Sequence, residues 1–365
     1  MKIAVDAMGG DRAPQEIIAG AVDAARKLNL QIILVGIQET IEKELRNHDI
    51  RNLPVFIQPA AEVVTMEDSP SKAMRRKRES SIAVGLRLVR DQRAQGFISA
   101  GNSGAIMAIA MVTLKKLKGI DRPAIVTCLP TLKEPVAILD VGGNVDCSPL
   151  HLAQFAIMGS VYAERVLNRN HPRVGLLSNG EEESKGNELT RSTHELLKHS
   201  PLNYVGPVEG RDIYPGELDV IVCDGFVGNV VLKTSEGLAL AMTEILRQEL
   251  TSSFRRRLGA WLSRPGLRNL KERVDYSEYG GAPLLGINGN CFIAHGSSCR
   301  KAIRNGIRLC AEFSEQKVNE HLLDELDKNH EIQKLLPKKK LWKQLKEKII
   351  PLDSSSENDT PNNPD

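Results

Sequence analysis

Five times along this 365-residue chain, a β-branched apolar run stops at a short polar loop that carries glycine. The five stretches are IAVDAMGGDRAP from Ile3, GFISAGNSGA from Gly96, AILDVGGNVDCSP from Ala137, VGLLSNGEEESKG from Val174 and DVIVCDGFVGNVVLK from Asp219. Continuous apolar runs suit strands buried on both faces, and a glycine-bearing loop after each suits the turn from strand into helix. The pattern commits the chain to the α/β class. In the fifth stretch Val220, Ile221 and Val222 read as strand, and Gly225 and Gly228 let the backbone turn sharply and approach a ligand. Unpaired amides at the start of the next helix favour an anion, and Lys233, one to two turns in, can point its ammonium at the same place. An ordinary strand-to-helix turn with Asp224 as cap fits this stretch equally well. Repetition favours a site. In an open parallel sheet the carboxyl ends of the strands share one edge, so the five loops are expected to converge on one crevice. That crevice would gather Asp6, Asp11, Asn102, Ser103, Asp140, Asn144, Asn179, Glu181, Asp224 and Asn229.

Between these loops the chain alternates strand and helix closely. Pro14 marks a helix start ahead of Ile17, Ala21, Ala25 and Leu28, and the strand QIILVG completes a βαβ unit. Gly104-Ala105 opens an apolar helix expected over 106–117. AIVTCLP and VAILDVG, joined by the turn TLKEP, predict an antiparallel pair inside a mixed sheet. Helices are expected at 149–166, 187–198 and 298–313, the last capped by Ser297 or Ser298. With 41% hydrophobic residues the chain can bury a large core, and a net charge of +3 argues against a dedicated nucleic-acid binder. Six cysteines form no CxxC pair and no Cys/His cluster at zinc spacing, so buried free thiols and a reducing compartment are expected. Met1 leads straight into the first strand, and no run approaches the ~18 apolar residues that span a bilayer. The expectation is a cytoplasmic protein.

Taken together and in order, DAMGGDRAP, MEDSPSKAMRRKRESS, SAGNSGA, DVGGNVD, SNGEEESKGN, DGFVGNVVLK, YGGAPLLG and HGSS resemble the signature blocks of the phosphate acyltransferase (PlsX) family of bacterial phospholipid synthesis. They cover the chain from Met1 to about Leu323. Ser103 stands where Thr is expected, Gly143 where Ala is usual, and Val227 in place of Thr, which removes a possible hydroxyl contact. The resemblance implies a Rossmann-like αβα sandwich with a large mixed sheet, of the isocitrate/isopropylmalate dehydrogenase-like kind. It implies a single catalytic region over 1–336; beyond it the basic PKKKLWKQLKEK and the polar, proline-bearing DSSSENDTPNNPD read from composition as a disordered tail over 337–365. The implied activity converts acyl-[acyl-carrier protein] and inorganic phosphate into acyl phosphate and free carrier protein.

A thioester carbonyl is already activated and phosphate is a competent nucleophile once oriented, so no protein nucleophile, cofactor or metal is expected. The enzyme has to hold phosphate against the carbonyl and donate hydrogen bonds to the oxyanion. Asn102, Ser103, Asn144, Asn179 and Asn229 are candidate donors, with Lys185 and Lys233 for charge. Backbone at Gly9, Gly10, Gly104, Gly225 and Gly228 is expected beside the ligand. The carboxylates Asp6, Asp11, Asp140 and Asp224 would orient donors or, in one case, accept a proton, with a cap or turn role as the alternative for each; Glu181 is expected among the residues lining the phosphate site. His295, beside Ser297 and Ser298, reads either as a proton shuttle or as part of a helix cap, since the chain has no GxSxG elbow.

Two basic segments remain. Arg75, Arg76 and Lys77 are either a solvated face or the landing site of an acidic acyl-carrier protein. Within an amphipathic helical hairpin over 250–275, expected to break at Arg264-Pro265-Gly266, Phe254, Leu258, Trp261 and Leu262 fall at i, i+4, i+7 and i+8. That face predicts contact with an anionic membrane surface, with packing in a homodimer as the alternative. A peripheral enzyme would deliver acyl phosphate to a membrane glycerol-3-phosphate acyltransferase. Two other readings stay open: a phosphotransacetylase-like enzyme, and a non-enzymatic membrane scaffold of lipid synthesis.

Overall fold

The computed structural model describes residues 1–274 and 280–328. Strands β1 (Lys2–Asp6), β2 (Gln31–Gly36), β3 (Val55–Pro59) and β4 (Gly96–Ser99) form the first half of the sheet, with helices α1 (Gln15–Leu28), α2 (Gln38–Leu45), α3 (Pro70–Arg76) and α4 (Ser81–Arg90) between them. Helix α5 (Ser103–Thr113) leads to the hairpin β5 (Ala124–Leu129) and β6 (Val136–Leu139), then α6 (Pro149–Arg165), β7 (Val174–Leu177), α7 (Glu188–Lys198), β8 (Tyr204–Val208) and β9 (Val220–Val222). Three helices follow: α8 (Gly225–Thr251), α9 (Phe254–Leu262) and α10 (Arg264–Val274). The chain then returns as β10 (Ala282–Leu285), β11 (Cys291–Ile293), α11 (Arg300–Glu315) and α12 (Val318–Lys328).

All eleven strands join one mixed sheet in the order β3-β2-β1-β4-β11-β10-β5-β6-β9-β7-β8. Side chains alternate across it, which is what a period of two requires of strands covered on both faces. Ile3 and Val5 point to one core and Ala4 to the other; Val220 and Val222 point to the first and Ile221 to the second. Helices α1, α6, α11 and α12 cover the first face, and α4 and α5 the second. The architecture is the expected αβα sandwich.

Strand sense departs from the expectation. The pairs β11/β10, β10/β5 and β5/β6 are antiparallel, while the pairs on either side of them are parallel. Three successive reversals invert the second half, so β6, β9, β7 and β8 run opposite to β1, β4 and β11. The five glycine loops therefore do not share one edge.

Several helix ends also differ from expectation. Helix α5 starts at Ser103 and stops at Thr113, because Asn102 caps it and the chain turns off before Lys116. The hairpin breaks at Ser252–Ser253 and Ser263, not at Arg264-Pro265-Gly266: Pro265 lies in the first turn of α10, where its missing N–H has no helical partner to lose. Cys299, not Ser297 or Ser298, is the N-cap of α11, and it makes no side-chain cap bond. The expected tail, 337–365, lies outside the described residues.

Candidate active site

The site is assembled where helix α8 of the second half meets the β11 loop of the first. In the first half Asp6, at the end of β1, is buried; its carboxylate accepts from Ser99 Oγ at 2.6 Å and from the Met8 amide at 3.0 Å. Burial raises its pKa, partly offset by these bonds. Gly10 has φ +106°, a conformation that disfavours a side chain, and the next amide, of Asp11, donates to the Gly296 carbonyl at 2.8 Å. The loops after β1 and β11 are thereby stitched together. His295 and Ser297 stand on the β11 loop, with Nδ1 2.8 Å from Ser297 Oγ.

In the second half Asp140, after β6, is fully buried. It accepts from the amides of Ile125, Gly143 and Asn144 and from Asn144 Nδ2, all within 3.0 Å. Desolvation raises its pKa above the usual 3.8, and these four donors oppose that rise. Asp224 caps α8, accepting from the Phe226 and Val227 amides. The helix packs so closely on the β6 loop that a Cβ at Gly228 would overlap the Asp140 carbonyl, and one at Gly225 would meet the Asn144 backbone. Asn229 lies next to Gly142, and its side chain makes no hydrogen bond among the described residues.

The halves meet where Lys233 Nζ approaches His295 Nε2 at 2.9 Å and Glu236 Oε2 at 2.8 Å. An ammonium only donates, so Nε2 is the acceptor, and the neutral ring carries its proton on Nδ1 and donates it to Ser297 Oγ. The Ser297 amide also lies 3.2 Å from Nδ1, an approach that suits the opposite tautomer. His295 thus links Lys233 to Ser297 in one hydrogen-bonded chain.

Not every expected residue joins this site. Asn102 is spent on structure: Oδ1 accepts from Ala105, and Nδ2 donates to the Met66 and Asp68 carbonyls, each at 3.0 Å. Asn144 is likewise spent, its Nδ2 held by Pro123 and Asp140. Ser103 is exposed on the first turn of α5, where Gly104 packs against Pro70. Ser298 is buried. Lys77 is turned inward onto Asp68 at 2.5 Å and the Val63 carbonyl at 2.8 Å, and holds Asp68 down at a pKa of about 2. It leaves Arg75 and Arg76, with Lys72 and Arg78, as the exposed cations of that patch.

Asn179, Glu181 and Lys185 belong to the β7 loop. Asn179 accepts from the Gly186 amide, and Glu181 faces Arg211 at 3.6 Å. Asn179 lines a cavity of about 440 Å³ with Leu152, Leu177, Thr190, Cys223 and Val227. At 100° per residue, Val227 lies about 200° around α8 from Asn229, so the cavity and the Lys233 site occupy different sides of that helix. Val227, the departure from Thr, consequently faces away from Lys233. Sequence reasoning missed Ser99 and Glu236, which look respectively like a strand residue and a solvent-facing helix residue. It also missed Thr190, although Asn187, three residues ahead of it, is a recognisable cap.

The fold is a mixed α/β sandwich whose second half runs opposite to the first, with a capped and glycine-packed helix N-terminus at the reversal. Solved structures agree: a phosphotransacetylase from Streptococcus pyogenes matches with TM-score 0.58 and 17% identity, covering 87% of this chain and 94% of that one. A branched-chain phosphotransacylase from Enterococcus faecalis V583 matches with TM-score 0.53 and 13% identity, over 86% and 99%. Identities of that size speak to the fold alone. The sequence is more particular. Residues 1–321 match the family model described as fatty acid synthesis protein. The phosphate acyltransferase of Geotalea daltonii is 53% identical over 330 residues, 90% of this chain and 95% of its own length, and that of Pelobacter propionicus is 55% identical over the same shares. The chain belongs to the phosphate acyltransferase family and is an acyltransferase enzyme.

Proposed function

We propose that this acyltransferase moves the acyl group of an acyl-[acyl-carrier protein] thioester onto inorganic phosphate, by direct attack and without an acyl-enzyme, within a single catalytic region over 1–336. The contact of Lys233 with His295, next to the unspent amide of Asn229, carries the reading. Phosphate takes the place between them, its charge met by Lys233 and by the Asn229 amide. One phosphate oxygen forms the new bond to the carbonyl carbon, the C–S bond breaks, and the phosphate proton passes through His295 Nε2 to the departing sulfur. The products are acyl phosphate and free carrier thiol. Buried Asp6 and Asp140 shape the loops and do not face the anion. The cysteines suit this view: burial pushes Cys223 well up and Cys147 to about 12, so neither is a ready thiolate nucleophile.

The carrier protein, acidic as a class, would land on exposed Arg75 and Arg76, where complementary charge speeds encounter. Helix α8 leaves Leu238, Met242, Ile245 and Leu246 exposed at i, i+4, i+7 and i+8, a stripe suited to a second copy. Phe254, Leu258, Trp261 and Leu262 repeat that spacing on α9, exposed among arginines, and suit an anionic bilayer surface. Among the described residues no helix is long and apolar enough to cross a membrane. We read the protein as a cytoplasmic homodimer resting on the membrane, where its product meets a glycerol-3-phosphate acyltransferase.

The test is incubation of the full chain with acyl-carrier protein and phosphate, reading free carrier thiol. Phosphate-dependent release, lowered about 100-fold or more in Lys233→Ala, is expected. Release that ignores phosphate, or a Lys233→Ala variant with full turnover, overturns the assignment.

A further inference from the structure

We infer that Glu236 is a positioning residue for Lys233, an inference that rests on the reading of the Lys233 site given above. A lysine ammonium is a compact point charge on a flexible stem, and it has three donor directions. One is held by Glu236 Oε2 at 2.8 Å; the one on His295 Nε2 at 2.9 Å is released when phosphate comes between the two residues, so it and the third serve ligand oxygens. The Lys233 side chain is 46% exposed and Glu236 only 21%, so the carboxylate is the better-held partner and serves as the reference.

The pair is poorly arranged for merely stabilising the helix. Lysine precedes glutamate, the reverse of the order that suits the helix dipole, and the pair sits a long way from both ends of α8. Glu236 lies seven residues from Asn229, two turns along nearly the same side, so Glu236, Lys233 and Asn229 form one row beside His295. The carboxylate also balances the ammonium while no anion is bound. Orientation of the catalytic cation is the consequence, and a misplacement of about 1 Å at such a centre costs up to about 100-fold in rate.

The experiment compares initial rates against phosphate for wild type, Glu236→Gln and Glu236→Ala, with thermal unfolding of each. Glu236→Ala is expected to lose roughly 10- to 100-fold in kcat with a raised phosphate KM. Glu236→Gln, which keeps an acceptor at the same reach, should recover most of kcat, and all three should unfold alike. Equal kinetics in all three would reduce the pair to an ordinary surface contact and overturn the inference. So would loss of rate in step with loss of thermal stability, or a lowered phosphate KM at unchanged kcat, which would make Glu236 a competitor for Lys233. Should wild type release no carrier thiol, the reading of the reaction falls, and calorimetric titration with inorganic phosphate decides this inference separately. Weaker binding in Glu236→Ala than in Glu236→Gln upholds it; equal binding overturns it.

Discussion

The two ends of α8 are built on opposite terms. From Gly225 to Lys233 the helix has glycine where it meets other backbone, a capped N-terminus, and side chains that contact the β6 and β11 loops. From Leu238 to Thr251 it presents large apolar side chains to solvent, and its later packing is chiefly against α9. At 27 residues the helix is about 40 Å long, so one rigid element links the site to a distant surface. Rigidity explains the pairing of these roles. The root tolerates almost no added volume because the backbone approaches it directly, whereas the outer part is mostly exposed and, among the described residues, is flanked chiefly by α9.

The sharpest way to break this contrast is to add one methyl group at the root and one at mid-helix, where the exposed part begins. Gly228→Ala drives its Cβ into the Asp140 carbonyl, a backbone atom that cannot step aside without dragging the β6 loop. The expected cost is at or above the roughly 1–3 kcal/mol of ordinary overpacking, with turnover lost as the loop moves. Gly237→Ala meets nothing within 4 Å, and replacing a helix-interior glycine by alanine stabilises by roughly 0.5–1 kcal/mol. Thermal unfolding measures both. Equal responses would mean that the root packs no more tightly than the outer helix.

A gentler probe works from the outside. Changing Leu238, Met242 and Ile245 together to Ser is expected to dissociate the proposed dimer, seen by sedimentation, while each folded protomer keeps its Lys233–His295 contact. Trp261→Glu should leave the dimer intact and abolish pelleting with anionic vesicles, and soluble turnover should be unchanged. Because each cation near an anionic bilayer contributes about 1 kcal/mol, wild-type pelleting should fade as salt rises. If the triple change leaves a stable dimer, the stripe is not the interface. If wild type never pellets with such vesicles, the α9 face serves another end.

Much of the root was legible in the sequence. DGFVGN gave strand end and cap in order, but its two glycines, read as making room for a ligand, instead make room for the backbone of the β6 loop. The β5–β6 hairpin was legible too, from a turn too short for a crossover. The inversion of the second half was not drawn from it, since the sense of β6 relative to β4 depends on β10 and β11, which enter from more than 140 residues downstream of the hairpin. Nor does a sequence show which hydrogen-bonding groups are already spent. Asn102 and Asn229 look alike on paper, yet one is consumed by a cap and two carbonyls while the other faces the site. Glu236 was missed for the converse reason: a glutamate on an amphipathic helix resembles any solvated residue until Lys233 is found beside it.

The smallest expected effect is a difference in the pH response of two carboxylates, one at each end. Asp140 at the root is buried and its pKa lies above the usual 3.8, with desolvation as the main cause. A raised folded pKa means that its contribution to stability is complete below the unfolded value and is lost as pH rises through the folded one. Glu244, on the outer helix, is held down at about 2 by its hydrogen bonds with Arg247. Its sign is opposite: the contribution is present above the usual 4.5 and is lost as pH falls toward about 2. Full exposure makes Glu244's part small and open to screening, whereas Asp140 lies beyond the reach of mobile ions. Carboxyl-carbon NMR titration of the two residues tests this directly. Glu244 should titrate well below Asp140, and about 0.5 M salt should move Glu244 toward its ordinary value while Asp140 stays put. Coincident titrations near 4, or an Asp140 that follows the salt, would show water entering the β6 loop, and the tight root of α8 would have to be given up as the reason its glycines are there.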